Sequence, residues 1–251
     1  MKKSLLSASM MAIALAFTWQ NTGHAEEKHA HWSYEGATGP SYWSSLDPAY
    51  QLCGTGRNQS PINLASMISS KLAPVNFQYQ TGATTITNNG HTVQITAETG
   101  SYIALNGHGF ALRQMHFHAP SENQIDGKSF ALEGHMVHAD INNNLAVVAV
   151  MYEIGAPNAA LGEIWGLLPE HAGETTTAPA SFKWSSILTD NHDYYRFNGS
   201  LTTPPCDEGV TWLVLKQPQT ISAEQLTAFT HTQHGDNNRP VQQIFARPVL
   251  Q

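Results

Sequence analysis

The sequence predicts an α+β fold dominated by β-structure, in one sheet-rich domain behind an export signal. From Val75 onward, short runs of β-type residues alternate with Gly and Asn turn signals. Leu145-Ala146-Val147-Val148-Ala149-Val150-Met151 is almost continuously apolar, as a central strand covered on both faces would be. Only two stretches carry a clear helical signal. The chain has 251 residues, 41% of them hydrophobic, enough for one large core. Charged residues make up 12%, which excludes a disordered polyelectrolyte, and the net charge of −7 disfavours nucleic acid or an anionic membrane as partner.

Taken in order, Lys2 and Lys3 form a basic start, and residues 5–17 form an apolar stretch too short to span a bilayer comfortably. Gly23-His24-Ala25 offers small residues where a signal peptidase reads, so residues 1–25 read as a signal peptide cleaved before Glu26. Residues 26–251 are then the mature domain, periplasmic or secreted, with no stable membrane insertion. Loss of the two lysines takes its net charge to −9. Both cysteines, Cys53 and Cys206, survive cleavage, and an oxidising compartment favours one disulfide between them.

Residues 26–60 interleave aromatics with turn formers and read as a wrap without regular structure. Strands are expected at 75–80, 84–87, 91–97, 101–105 and 109–118, with Asn89-Gly90 as a hairpin signal. Two more, at 129–139 and 145–154, are split by a tight connection over 140–144. Residues 159–168 place Leu161, Ile164, Trp165 and Leu168 on one helical face, ended by Pro169. Strands at 194–197 and 210–215 complete the sheet. Ser222-Ala223-Glu224-Gln225 is a capping box opening a helix to about His231.

The chemistry centres on Gln114-Met115-His116-Phe117-His118. On a strand, side chains alternate, so Gln114, His116 and His118 share one face. The run Glu133-Gly134-His135-Met136-Val137-His138 offers a further imidazole, with His135 on the face of Glu133 and His138 on the other. Three neutral imidazoles and one open position describe a catalytic zinc site.

These runs, with Leu201-Thr202-Thr203-Pro204-Pro205-Cys206, resemble the alpha-class carbonic anhydrases. His31-Trp32-Ser33-Tyr34, Gln59-Ser60-Pro61-Ile62, Asn88-Asn89-Gly90-His91 and Asn237-Asn238-Arg239-Pro240 extend the resemblance over nearly the whole mature chain. The resemblance implies a large, twisted, mostly antiparallel sheet with short peripheral helices and zinc in a central cleft. It implies His116, His118 and His135 as ligands of Zn2+, with Gln114 and Glu133 orienting the imidazoles. The implied reaction is reversible hydration of CO2 to bicarbonate by zinc hydroxide. That hydroxide is available because bound water has a pKa of about 7, a value taken from carbonic anhydrases themselves. Thr202 matches the threonine that orients the nucleophile, Glu122 the carboxylate accepting its proton, and His91 the proton shuttle. Thr203 lines the same wall, and Val137, Val147, Leu201 and Trp212 match the apolar wall that receives CO2. Cysteine pairs like Cys53 and Cys206 occur in exported members. The expected partner is the small-molecule substrate, CO2 or bicarbonate, and the expected state is a monomer or homodimer.

Two rivals remain open in the sequence. A cupin also uses His-x-His and a following glutamate, which would make Glu122 a metal ligand, although no Pro-x-Gly motif accompanies His135. A non-catalytic binding module on the same scaffold is the other, opposed by the presence of every expected site residue.

Overall fold

The computed structural model describes residues 29–251. The signal segment expected at 1–25 and its cleavage point lie outside those residues. Thirteen strands are present among the described residues: β1 (Asn63–Leu64), β2 (Asn76–Gln78), β3 (Ala83–Asn88), β4 (Val93–Ala97), β5 (Tyr102–Leu105), β6 (His108–His118), β7 (Gln124–Ile125), β8 (Leu132–Ala139), β9 (Leu145–Ile154), β10 (Thr175–Thr177), β11 (Tyr194–Ser200), β12 (Glu208–Leu215) and β13 (Gln219–Ile221). The α-helices are short: α1 (Trp43–Leu46), α2 (Leu52–Thr55), α3 (Ala159–Trp165) and α4 (Ala223–Gln233).

Eleven strands form one sheet in the order β10-β3-β4-β6-β8-β9-β12-β11, with β5 joining β6 to β2 and β13 beside β9. Pairing within this sheet is antiparallel except where β9 runs parallel to β12 and β13, and β1 and β7 form a separate parallel pair. The expected mostly antiparallel, β-dominated fold is therefore the one observed. Turn chemistry explains the hairpins. Asn106 and Gly107 have φ of 51° and 81°, the left-handed pair that a two-residue hairpin between β5 and β6 requires. Between β3 and β4, Asn89 Oδ1 accepts from the backbone of His91 and Thr92, each at 2.9 Å, so the strand starts at Val93 rather than at His91.

Strand β9 explains the continuous apolar run. Its Ala146, Val148, Val150 and Tyr152 join one core, together with Met115, Phe117, Met136 and residues of α3 and α4. Its Val147, Ala149 and Met151 join a second core on the opposite face, with Phe197, Trp212 and Val214. Helices thus cover the first face and leave the second for the site. The Ser222 capping box is present, with Gln225 returning the bond.

Several local expectations change. The described part of the expected wrap, residues 29–60, holds α1, α2 and two 3-10 turns around Trp43, Tyr50 and the Cys53–Cys206 disulfide. Helix α3 stops at Trp165 because Gly166 caps it, ahead of Pro169. The eighth strand starts at Leu132, three residues later than expected, and the short β1, β7, β10 and β13 were not foreseen.

Candidate active site

The site is built where β6 and β8 lie side by side. His116 pairs with His135, and His118 with Glu133, in antiparallel register. A bulge between Leu112 and Gln114 lets Leu112, Met115 and Phe117 face the first core, while Gln114, His116 and His118 face the second. His116, His118 and His135 converge, with one nitrogen from each lying within 4.8 Å of the others.

The outward nitrogens are all bonded. His116 Nδ1 donates to Gln114 Oε1 at 2.9 Å, and His135 Nε2 donates to Glu133 Oε1 at 2.9 Å. His118 Nδ1 donates to the Asn237 carbonyl at 2.7 Å. These bonds fix each tautomer so that the inward nitrogen presents a lone pair. Burial holds all three imidazoles below the usual histidine range, His118 at about 4, so they are neutral at pH 7. His118 Nε2 is buried with no hydrogen-bond partner. An orphaned lone pair beside two others is what a metal ion would satisfy, and the residues fit zinc.

Glu133 is held from four sides. It accepts from Glu122 N, Asn123 N, Asn123 Nδ2 and His135 Nε2 at 2.7–2.9 Å. Burial nonetheless raises its pKa to about 7. Glu122 is also raised, by burial first, while the Arg239 N–H and the Thr202 hydroxyl pull the other way. Its Oε1 accepts from Arg239 N at 2.8 Å, and its Oε2 lies 3.5 Å from His118 Nε2 with no hydrogen-bond partner.

Thr202 is buried and Thr203 half-buried in a loop closed by Leu201 N donating to Asp207 O. The disulfide joins this loop, at Cys206, to Cys53. Val137, Val147, Leu201 and Trp212 belong to the second core, and Trp212 lies edge-on to His135 at 4.8 Å. His91 is half-buried, stacked on Trp32 at 3.7 Å and 7°, and lines a cavity of about 320 Å³ with Tyr34 and His31. His138 faces away, between Tyr79 Oη and the Ala146 carbonyl.

Sequence reasoning missed Asn123, Asn237, Arg239 and Tyr34 as parts of the site. Tyr34 Oη is buried without a partner, and the Glu122 charge helps push its pKa up. Three of the four stand in or beside motifs quoted above, but nothing in the motifs says which atoms they touch.

A three-histidine centre on an 11-stranded, mostly antiparallel sheet defines a class, a β-sheet scaffold able to hold a catalytic metal. The sequence profile described as eukaryotic-type carbonic anhydrase matches residues 38–251. A carbonic anhydrase of Klebsiella pneumoniae is 43% identical over 252 residues, covering 100% of this chain and 98% of its own. One from Pectobacterium atrosepticum is 44% identical over 88% of this chain and 90% of its own. The alpha-carbonic anhydrase of Thermovibrio ammonificans, solved with the inhibitor sulfanilamide, superposes with a TM-score of 0.86 at 44% identity, covering 88% of this chain and 99% of that one. The chain belongs to the alpha, or eukaryotic-type, carbonic anhydrase family, and is an enzyme acting on a small molecule. The cupin reading falls with that result. No helix among the described residues is long and apolar enough to cross a membrane.

Proposed function

We propose that the chain catalyses reversible hydration of CO2 to bicarbonate and a proton, with His116, His118 and His135 holding zinc. The observation that carries this is the set of three inward lone pairs, each fixed by an outward hydrogen bond. Zinc, when bound, supplies a Lewis acid that makes water a competent nucleophile near neutral pH.

The chain's own residues do the rest. Gln114, Glu133 and the Asn237 carbonyl hold the imidazoles in their ligating tautomer. A Thr202 hydroxyl that gave its one hydrogen to the free Glu122 Oε2 would keep only lone pairs for the nucleophile, which would orient it toward substrate. Val137, Val147, Leu201 and Trp212 offer apolar CO2 a wall on the same face as His135, with Thr203 beside them. His91 sits in the half-exposed cavity, neutral at pH 7, and accepts the proton that leaves. The disulfide favours an oxidising compartment, in keeping with export to the periplasm or beyond.

His118→Ala tests the reading. The variant is expected to lose both stoichiometric zinc and CO2 hydration. Full activity without metal contradicts it.

A further inference from the structure

The motif Asn237-Asn238-Arg239-Pro240 has so far supplied the Asn237 carbonyl and the Arg239 N–H. Its other atoms reach further. Asn237 Oδ1 accepts from Ala119 N at 2.8 Å, and Asn237 Nδ2 donates to Phe117 O at 2.9 Å and to His91 O at 3.1 Å. Two residues on, Arg239 N donates to Glu122 Oε1. One short turn therefore touches a metal-site histidine, the carboxylate behind Thr202 and the His91 backbone.

A turn that holds three groups must itself be held. The Arg239 side chain is buried and runs into the N-terminal wrap. Its Nη1 donates to Gln59 Oε1 at 2.9 Å and to Ser60 O at 2.7 Å, and its Nη2 donates to Cys53 O at 2.8 Å. Its guanidinium carbon lies 5.6 Å over the Trp43 ring. None of these partners is a carboxylate. An apolar side chain of similar size would fill the space at lower desolvation cost, so packing alone does not account for an arginine here. What the guanidinium adds is a rigid planar fork of donors.

We propose that Arg239 is a positioning residue for the metal centre, its guanidinium locking the 237–239 turn that holds His118 and Glu122. The anchor it grips also reaches the Thr202 loop. Gln59 Nε2 donates to Cys206 O at 3.0 Å, Ser60 N donates to Ser200 Oγ at 2.8 Å, and Ser200 N donates to Ser60 Oγ at 3.1 Å. Glu122 and Thr202 are thereby registered against the same segment, residues 53–60.

This inference rests on the zinc reading above and deepens it. Arg239→Lys and Gln59→Leu test it, with zinc affinity read by chelator competition and CO2 hydration read at full zinc occupancy. Lysine keeps the charge without the fork, and the Gln59 side chain has no hydrogen bond to the histidines, Glu122 or Thr202. Partners that orient a metal-binding imidazole typically matter 10–100-fold, so Arg239→Lys should lower zinc affinity and kcat/KM by about tenfold each. Gln59→Leu should lower both by about threefold, and the double variant should lose less than the product of the two single losses, because part of the Gln59 effect runs through its contact with Arg239.

A lowered Tm with wild-type zinc affinity and kcat/KM makes Arg239 a mere brace and overturns the proposal. If Arg239→Lys does not fold, Gln59→Leu decides, and unchanged zinc affinity there overturns it. An unaltered chain that binds no zinc fails the functional reading itself, and this inference with it.

Discussion

At the scale of single residues, the candidate site gives the outward nitrogen of each of its three histidines one partner and so leaves the inward nitrogens for a metal. Thr202 is the residue whose loss separates orientation from metal binding. Thr202→Ala should keep zinc and lower CO2 hydration about 10²-fold, the usual cost of losing one preorganised hydrogen-bonding group. Unchanged hydration, measured by stopped flow, would remove Thr202 from the mechanism. In the proposed mechanism His91 acts after the chemical step. Burial and the neighbouring His31 hold its pKa below the usual value, which keeps it neutral and able to accept a proton at pH 7. His91→Ala should lower kcat in dilute buffer, leave kcat/KM for CO2 nearly intact, and regain kcat when imidazole is added. Full kcat without added imidazole would exclude it as the shuttle. The imidazoles were legible because spacing on a strand dictates a face. Asn237 was not, because a carbonyl arriving from a loop 119 residues beyond His118 leaves no local pattern.

At the scale of elements, β8 carries two histidines with opposite fates. His135 faces the metal site, whereas His138 is buried in the other face, its Nε2 accepting from Tyr79 Oη at 2.9 Å and its Nδ1 donating to Ala146 O at 3.3 Å. Burial lowers the His138 pKa to about 4, against about 6.5 unfolded. The unfolded chain therefore binds one more proton between those values. The stabilisation is complete above about pH 6.5 and declines by about 1.4 kcal/mol per pH unit as pH falls toward 4. His138→Gln should remove that increment, read as a shallower fall of unfolding free energy from pH 6.5 to 4 beside the unaltered chain. Parallel curves would show that His138 does not set the acid limit. Strand hairpins were readable from Asn-Gly signals. Helices α1 and α2 were not, since four residues are too few to display a period, and the bulge before Gln114 has no composition of its own.

At the scale of the whole molecule, distant segments converge on one side of the sheet. Cys53 and Cys206, 153 residues apart, are bonded, and such a staple typically contributes roughly 2–4 kcal/mol. The chain's end is also used: Leu250 exchanges backbone hydrogen bonds with Arg196, both at 2.9 Å, along the outer side of β11. This pairing covers an edge strand that would otherwise invite another chain. The overall class was legible because one residue pattern repeats along the sheet, and the wrap was not, because its order comes from contacts with the Thr202 loop and Arg239. The proposed role of this assembly is to hold one zinc for CO2 hydration. Metal-stripped protein should be titrated with zinc while CO2 hydration is followed by stopped flow. Activity should rise linearly and saturate at one zinc per chain. Activity that is indifferent to zinc, or zinc binding at that stoichiometry without hydration, would contradict it.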